Sequence, residues 1–123
     1  MKYACLIYLN DLHHLDGFTE PQRAAFINEV LDNDEALRQS GNWLDAHALD
    51  LPTQAATVRV RQGKLATTDG PFVETKEHLA GIVIIEARDL NDAIRIAGTI
   101  PMARTGAIEV RPVKFVERQD AAA

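Results

Sequence analysis

Cysteine is almost absent from this chain: Cys5 stands alone, so no disulfide can form within it. No stretch of 18 apolar residues occurs and no signal-peptide pattern is present, which makes a reducing cytoplasm the expected compartment and leaves no expected membrane partner. Positive charge is scarce, with thirteen Lys and Arg against eighteen Asp and Glu and a formal net charge of −5. That balance opposes a phosphate backbone, so no direct nucleic-acid contact is expected. Ser40 is the only serine and falls at a helix end, and Gly-rich phosphate loops are missing. Neither an internal repeat nor a low-complexity segment is present apart from the terminal alanines.

What the chain does have is a core. Its 123 residues are 46% apolar, enough for one domain over 1–118, with a patternless and frayed tail over 119–123. The run from Lys2 to Leu9 is apolar on both faces, as in an interior strand. Thr19 and Gln22 form a capping box, Pro21 fits the first turn, and the spacing predicts a helix over 20–40 that ends at Gly41. Its apolar face is read as Phe26, Ile27, Val30, Leu31 and Leu37. A second strand is predicted over Trp43–Leu49, and a hairpin over Val58–Arg61 and Lys64–Thr68 that turns at Gln62-Gly63. Leu79–Ala87, with four consecutive branched residues, reads as a central strand. Asp89 caps a second helix carrying Leu90, Ala93, Ile94 and Ala97 on one face, and a last strand covers Ala107 to about Val116.

This order is two split β-α-β units with a hairpin between them, the ferredoxin-like α+β arrangement. Two helices can cover only one face of such a sheet, while the central strands look apolar on both. A homodimer packed through the open face is therefore expected.

Asp69-Gly70-Pro71 is a stiff chain reversal: Asp bonds nearby backbone, Gly tolerates positive φ and Pro fixes φ. With Phe72, Glu74, Thr75, Lys76 and Glu77 it completes the ungapped pattern D-G-P-F-x-E-T-K-E. Together with Met1-Lys2-Tyr3 leading into Leu6-Ile7-Tyr8, the run from Ala56 to Lys64, Ala103-Arg104 before Gly106, and Glu109-Val110-Arg111-Pro112, it resembles the DGPF, or YCII-related, family. The resemblance implies a dimeric ferredoxin-like α+β fold of the α-β barrel type. It also implies bacterial proteins often found beside extracytoplasmic-type sigma factors, which makes a sigma factor a candidate partner.

Three functional readings stand side by side, the third being a structural accessory to a sigma factor with no pocket of its own. In the first, a regulatory or binding module holds a small anionic or polar ligand near the motif, with Arg104 and Arg111 as bidentate anion donors. Glu74, Lys76, Glu77, Arg104, Glu109 and Arg111 equally suit a polar network across a dimer, since Glu109 and Arg111 share one face of the last strand. In the second, a cofactor-free enzyme uses His47 as a general base oriented by Asp69, acting on a small carbonyl or lactone-like substrate. His13 and His14, with Asp11 and Asp16, superficially resemble metal ligands but lack the spacing of a metal motif, so no metal and no cofactor are expected. Cys5 is read as a small buried hydrophobe.

Overall fold

The computed structural model describes residues 1–10 and 14–120. Strand β1 (Lys2–Leu9) leads to helix α1 (Glu20–Gln39), β2 (Trp43–Ala48), β3 (Ala56–Arg61), β4 (Lys64–Asp69), β5 (His78–Glu86), helix α2 (Leu90–Ala97) and β6 (Ala107–Pro112). Short 3-10 turns at Pro52–Gln54 and Pro101–Ala103 fill two of the connections. The main sheet has the order β2-β5-β1-β6, all neighbours antiparallel, and β3 pairs with β4 as a separate ribbon. The result is a mixed α+β domain compatible with a ferredoxin-like fold. No helix among the described residues is long and apolar enough to cross a membrane.

Local chemistry explains the boundaries. The Thr19 capping box is complete, with the Gln22 N–H donating to Thr19 Oγ1 and the Thr19 N–H donating to Gln22 Oε1. At the other end of α1, Gly41 takes the left-handed conformation that L side chains rarely adopt (φ +81°). Gln62 and Gly63 both have positive φ, which matches the twist of a two-residue hairpin turn. The expected last strand stops at Pro112 rather than Val116: its pairing with β1 ends at Tyr3 and Pro112, followed by one bond from the Val113 N–H to Lys2 O.

One face of the sheet carries the core. Tyr3, Cys5, Ile7 and Leu9 alternate inward from β1 and meet Val83 and Ile85 of β5, with Leu37 of α1 and Ala93, Ile96 and Ala97 of α2 above them. Burial pushes the Cys5 thiol up to about 11, so it behaves as the small hydrophobe expected.

Both helix faces differ from the sequence reading. On α2, Asp92, Ala93, Ile96 and Ala97 are buried, while Leu90 and Ile94 are exposed beside a shallow depression against Ile108 and Val110. Asp92 turns inward because it is fully bonded: it accepts from the Arg88 N–H and from the Arg95 side chain, which hold its carboxyl below the usual carboxylate range. On α1, Ile27 and Leu31 are 57% and 59% exposed and border an open space beneath the helix, while the more buried line is Phe26, Val30, Asn33, Asp34 and Leu37.

Candidate functional site

The inward line of α1 decides where the molecule has space. Phe26 and Leu37 are buried; between them Val30, Asn33 and Asp34 are half-buried, and Ile27 and Leu31 border the space below without filling it. A helix presenting an amide and a carboxylate cannot close on an apolar sheet without burying unpaired polar groups. It stands off, and a cavity of about 520 Å³ opens beneath it. Ile7, Leu9, Ala46, Ala48 and Val83 form its floor on the sheet, and Pro101 and Met102 close one side. That volume lies within the range of small-molecule sites, roughly 300–1,000 Å³.

Few polar groups line this cavity. His14 stands with its ring edge-on to Phe26, 6.5 Å between centroids, and the ring of Phe18 packs on Phe26 from another side at 5.9 Å. His14 Nδ1 is buried without a hydrogen-bond partner. Asp34 has its carboxyl raised above the usual range by burial, an effect that Arg38 one turn along only partly offsets. Arg38 itself is engaged elsewhere, with Glu35 at 3.1 Å and over the Trp43 ring at 4.2 Å. No lysine or arginine lines the cavity.

The residues singled out from the sequence are distributed over several places. His47 belongs to the edge strand β2, where its Nε2 lies 3.0 Å from Asp45 Oδ2, two residues back on the same strand face. Asp69 ends β4 and lines a different depression, of about 430 Å³, with Thr53, Glu74, Thr75 and His78. His47 and Asp69 therefore line separate cavities, and the carboxylate that meets His47 is that of Asp45.

The motif corner is built as its residues suggest. Gly70 has φ +98°, its N–H donates to Ala55 O at 2.7 Å, and its carbonyl accepts from Thr57 Oγ1 at 3.0 Å, which fastens the turn to the base of the hairpin. Beyond it Phe72 is exposed under the Arg59 guanidinium, and Thr75 Oγ1 donates to the Glu77 carbonyl. Glu74, Lys76 and Glu77 are all exposed.

Neither matched arginine reaches the motif. Arg104 donates to Glu29 Oε2 of α1 at 2.8 Å and lies 5.9 Å from the Phe26 ring centroid; this bond holds Glu29 below the usual carboxylate range and raises Arg104. Arg111 donates to Glu109 on its own strand. Each guanidinium is thus paired within the single chain, and the six-residue network appears as two separate ion pairs and an exposed segment.

Among the described residues no group of three or more His, Cys, Asp or Glu could hold a metal ion. Asp11 and His13 lie outside the described residues, so the histidine-rich loop is placed only through His14 and Asp16. Sequence reading missed Asn33 and Asp34 as wall residues. Their signal was present: they stand seven and eight positions after Phe26, where the apolar stripe of α1 ought to continue.

The chain is similar to known proteins along nearly its whole length. The model of the YCII-related domain matches residues 1–117. An uncharacterized protein of Rhizobium meliloti (strain 1021) is 31% identical over 115 residues, covering 92% of each chain. Matched along nearly its whole length by that domain model, and similar to a relative of the same size, the chain belongs to the YCII-related domain family.

Proposed function

We propose that this YCII-related domain is a small-molecule-binding module whose ligand seats between α1 and the sheet. The observation that carries the reading is the 520 Å³ cavity, which the fold leaves open because Asn33 and Asp34 interrupt the inward stripe of α1. Binding is favoured over catalysis because the acid–base pair of the enzyme reading, His47 with Asp69, is not assembled in the single chain, and His47 is exposed beside Asp45. The test is a thermal-unfolding screen of small molecules against the protein and against Ala46→Phe, which puts a ring into the cavity floor. A ligand at 100 times its dissociation constant adds about 2.7 kcal/mol of stability. The reading requires shifts that Ala46→Phe abolishes; ligands that shift both proteins equally would refute it.

A homodimer completes the proposal, and the helix-free face of the sheet supports it. Strand register sets two rows across that face, Asp45-Ile84-Ala4-Arg111 and His47-Ile82-Leu6-Glu109, each apolar in the middle and polar at both ends. A two-fold axis along the strands would bring Asp45 of one copy opposite Arg111 of the other, and His47 opposite Glu109, so the charges complement while the apolar centres meet. Leu6→Glu, at the centre of the face, should shift sedimentation to that of a 13.6 kDa monomer if this face pairs. The barrel form of the dimer and a sigma-factor partner rest on family resemblance, a cytoplasmic location on the lone cysteine and the lack of a signal-peptide pattern, and co-purification in a reducing buffer tests the partner.

A further inference from the structure

The lining of the cavity also bears on what it accepts. We infer that the cavity beneath α1 selects molecules with an apolar body and a positively charged end, an alkyl or arylalkyl amine, seated with the ammonium at Asp34 and the body against Ile7, Val83 and Met102. The inference rests on the cavity being a ligand site.

Three observations point the same way. First, the wall is mostly aliphatic and aromatic and holds no lysine or arginine, so an anionic ligand would give up water and meet no cation. Second, among the described residues Asp34 is the only carboxylate on that wall, and it stands at the middle of α1, one turn from Val30. Among the described residues no hydrogen bond reaches its side chain, unlike Asp92 on α2, whose carboxylate is satisfied by Arg88 and Arg95.

Third, burial disfavours the charged form of Asp34 more than Arg38 favours it, while the Arg38 guanidinium is drawn off by Glu35 and Trp43. A carboxylate left in that condition gains from an ammonium that enters with the ligand, because the two charges offset each other's loss of water. His14 stands on the same wall with its ring edge-on to Phe26.

Three molecules with one skeleton test this by calorimetry at pH 7.5: 4-phenylbutylamine, 4-phenylbutan-1-ol and 4-phenylbutyrate. The amine is expected to bind about tenfold more tightly than the alcohol, and the carboxylate more weakly than either. Asp34→Asn should bring the amine down to the level of the alcohol and relieve the penalty on the carboxylate. Ala46→Phe and Ala48→Phe, each checked for an unchanged unfolding midpoint, should remove binding of all three.

The outcomes separate the two ideas. If the alcohol and the amine bind equally, or the carboxylate binds best, the amine class is wrong while the cavity stands as a ligand site. An amine advantage that survives Asp34→Asn overturns the assignment of Asp34. Absence of binding by all three molecules, or binding that both phenylalanine variants leave intact, removes the cavity reading itself.

Discussion

Helix α2 meets the sheet through Ala93, Ile96 and Ala97, compact side chains that let the backbone come close, and its one inward polar group, Asp92, is fully bonded. Helix α1 is more than twice as long and covers the same face, yet only Phe26 and Leu37 of it are buried, Leu37 in the core and Phe26 against Phe18 and His14. Its inward polar group, Asp34, is desolvated and accepts no hydrogen bond among the described residues. Helix length therefore says little about how well a helix is held. Side-chain size at the contact and the fate of the polar group decide it, and the cavity is the space left by the helix that fails both tests.

Truncating the inward stripe of each helix should break that comparison most severely. Ile96 is 1% exposed, so Ile96→Ala should cost about 4 kcal/mol in urea denaturation. Val30→Ala, on the half-packed helix, should cost about 1 kcal/mol because the cavity already stands beside it. Equal losses would mean that α1 is as tightly held as α2.

The caps provide a control. Asp89 accepts from the Asp92 N–H and Thr19 from the Gln22 N–H, so Asp89→Ala and Thr19→Ala should each cost about 1 kcal/mol by the same assay. A matched pair of losses would show that the helices differ in packing and not at their ends.

Asn33→Leu should restore the missing apolar position, raising stability by up to about 1 kcal/mol while reducing the affinity of any cavity ligand. Greater stability with affinity intact would separate the cavity from the polar interruption of α1.

The smallest effects are in pH dependence, where the two aspartates should behave oppositely. Asp92 is lowered, so its contribution is present above the ordinary carboxylate range and is lost as pH falls through its lowered value. Asp34 is raised, so its favourable contribution is present in acid and is lost as pH rises through its raised value. Asp34→Asn should therefore raise stability slightly at pH 7 and leave it unchanged at pH 3, whereas Asp92→Asn should lower it at pH 7. Carboxyl titrations followed by NMR that place Asp34 below Asp92 would reverse the comparison.

Much of the fold was legible because its signals are local. The Thr19 box, the Gly41 stop, the Gln62-Gly63 turn and the Asp89 cap each need only a few neighbouring residues, and each sits where the sequence puts it. The helix faces were less legible. Ile27 and Leu31 look inward by hydrophobicity alone, but the phase of α1 is set by Phe26, Val30, Asn33 and Leu37, spaced four, three and four apart. Nothing local says that an Asn and an Asp will face a sheet.

The site was least legible of all. Asp45 lies two residues before His47 and so shares its strand face, a pairing that strand periodicity alone allows. By contrast, the pairing of Arg104 with Glu29 spans 75 positions and depends on how the Pro101–Ala103 turn meets α1. The motif from Asp69 to Glu77 carries the family resemblance, while the cavity beneath α1 is made by residues outside it.

Phe26 and Leu37 grip α1 at two points eleven residues apart, about 16 Å of helix at 1.5 Å per residue. Between them the helix is fastened like a beam on two supports, and its middle turns can lift while the sheet and α2 stay intact. Hydrogen exchange along those turns should proceed by local opening, well ahead of the β1 and β5 amides. A molecule bound for the cavity would then enter at the rate at which a helix breathes, with no lid or loop required to move.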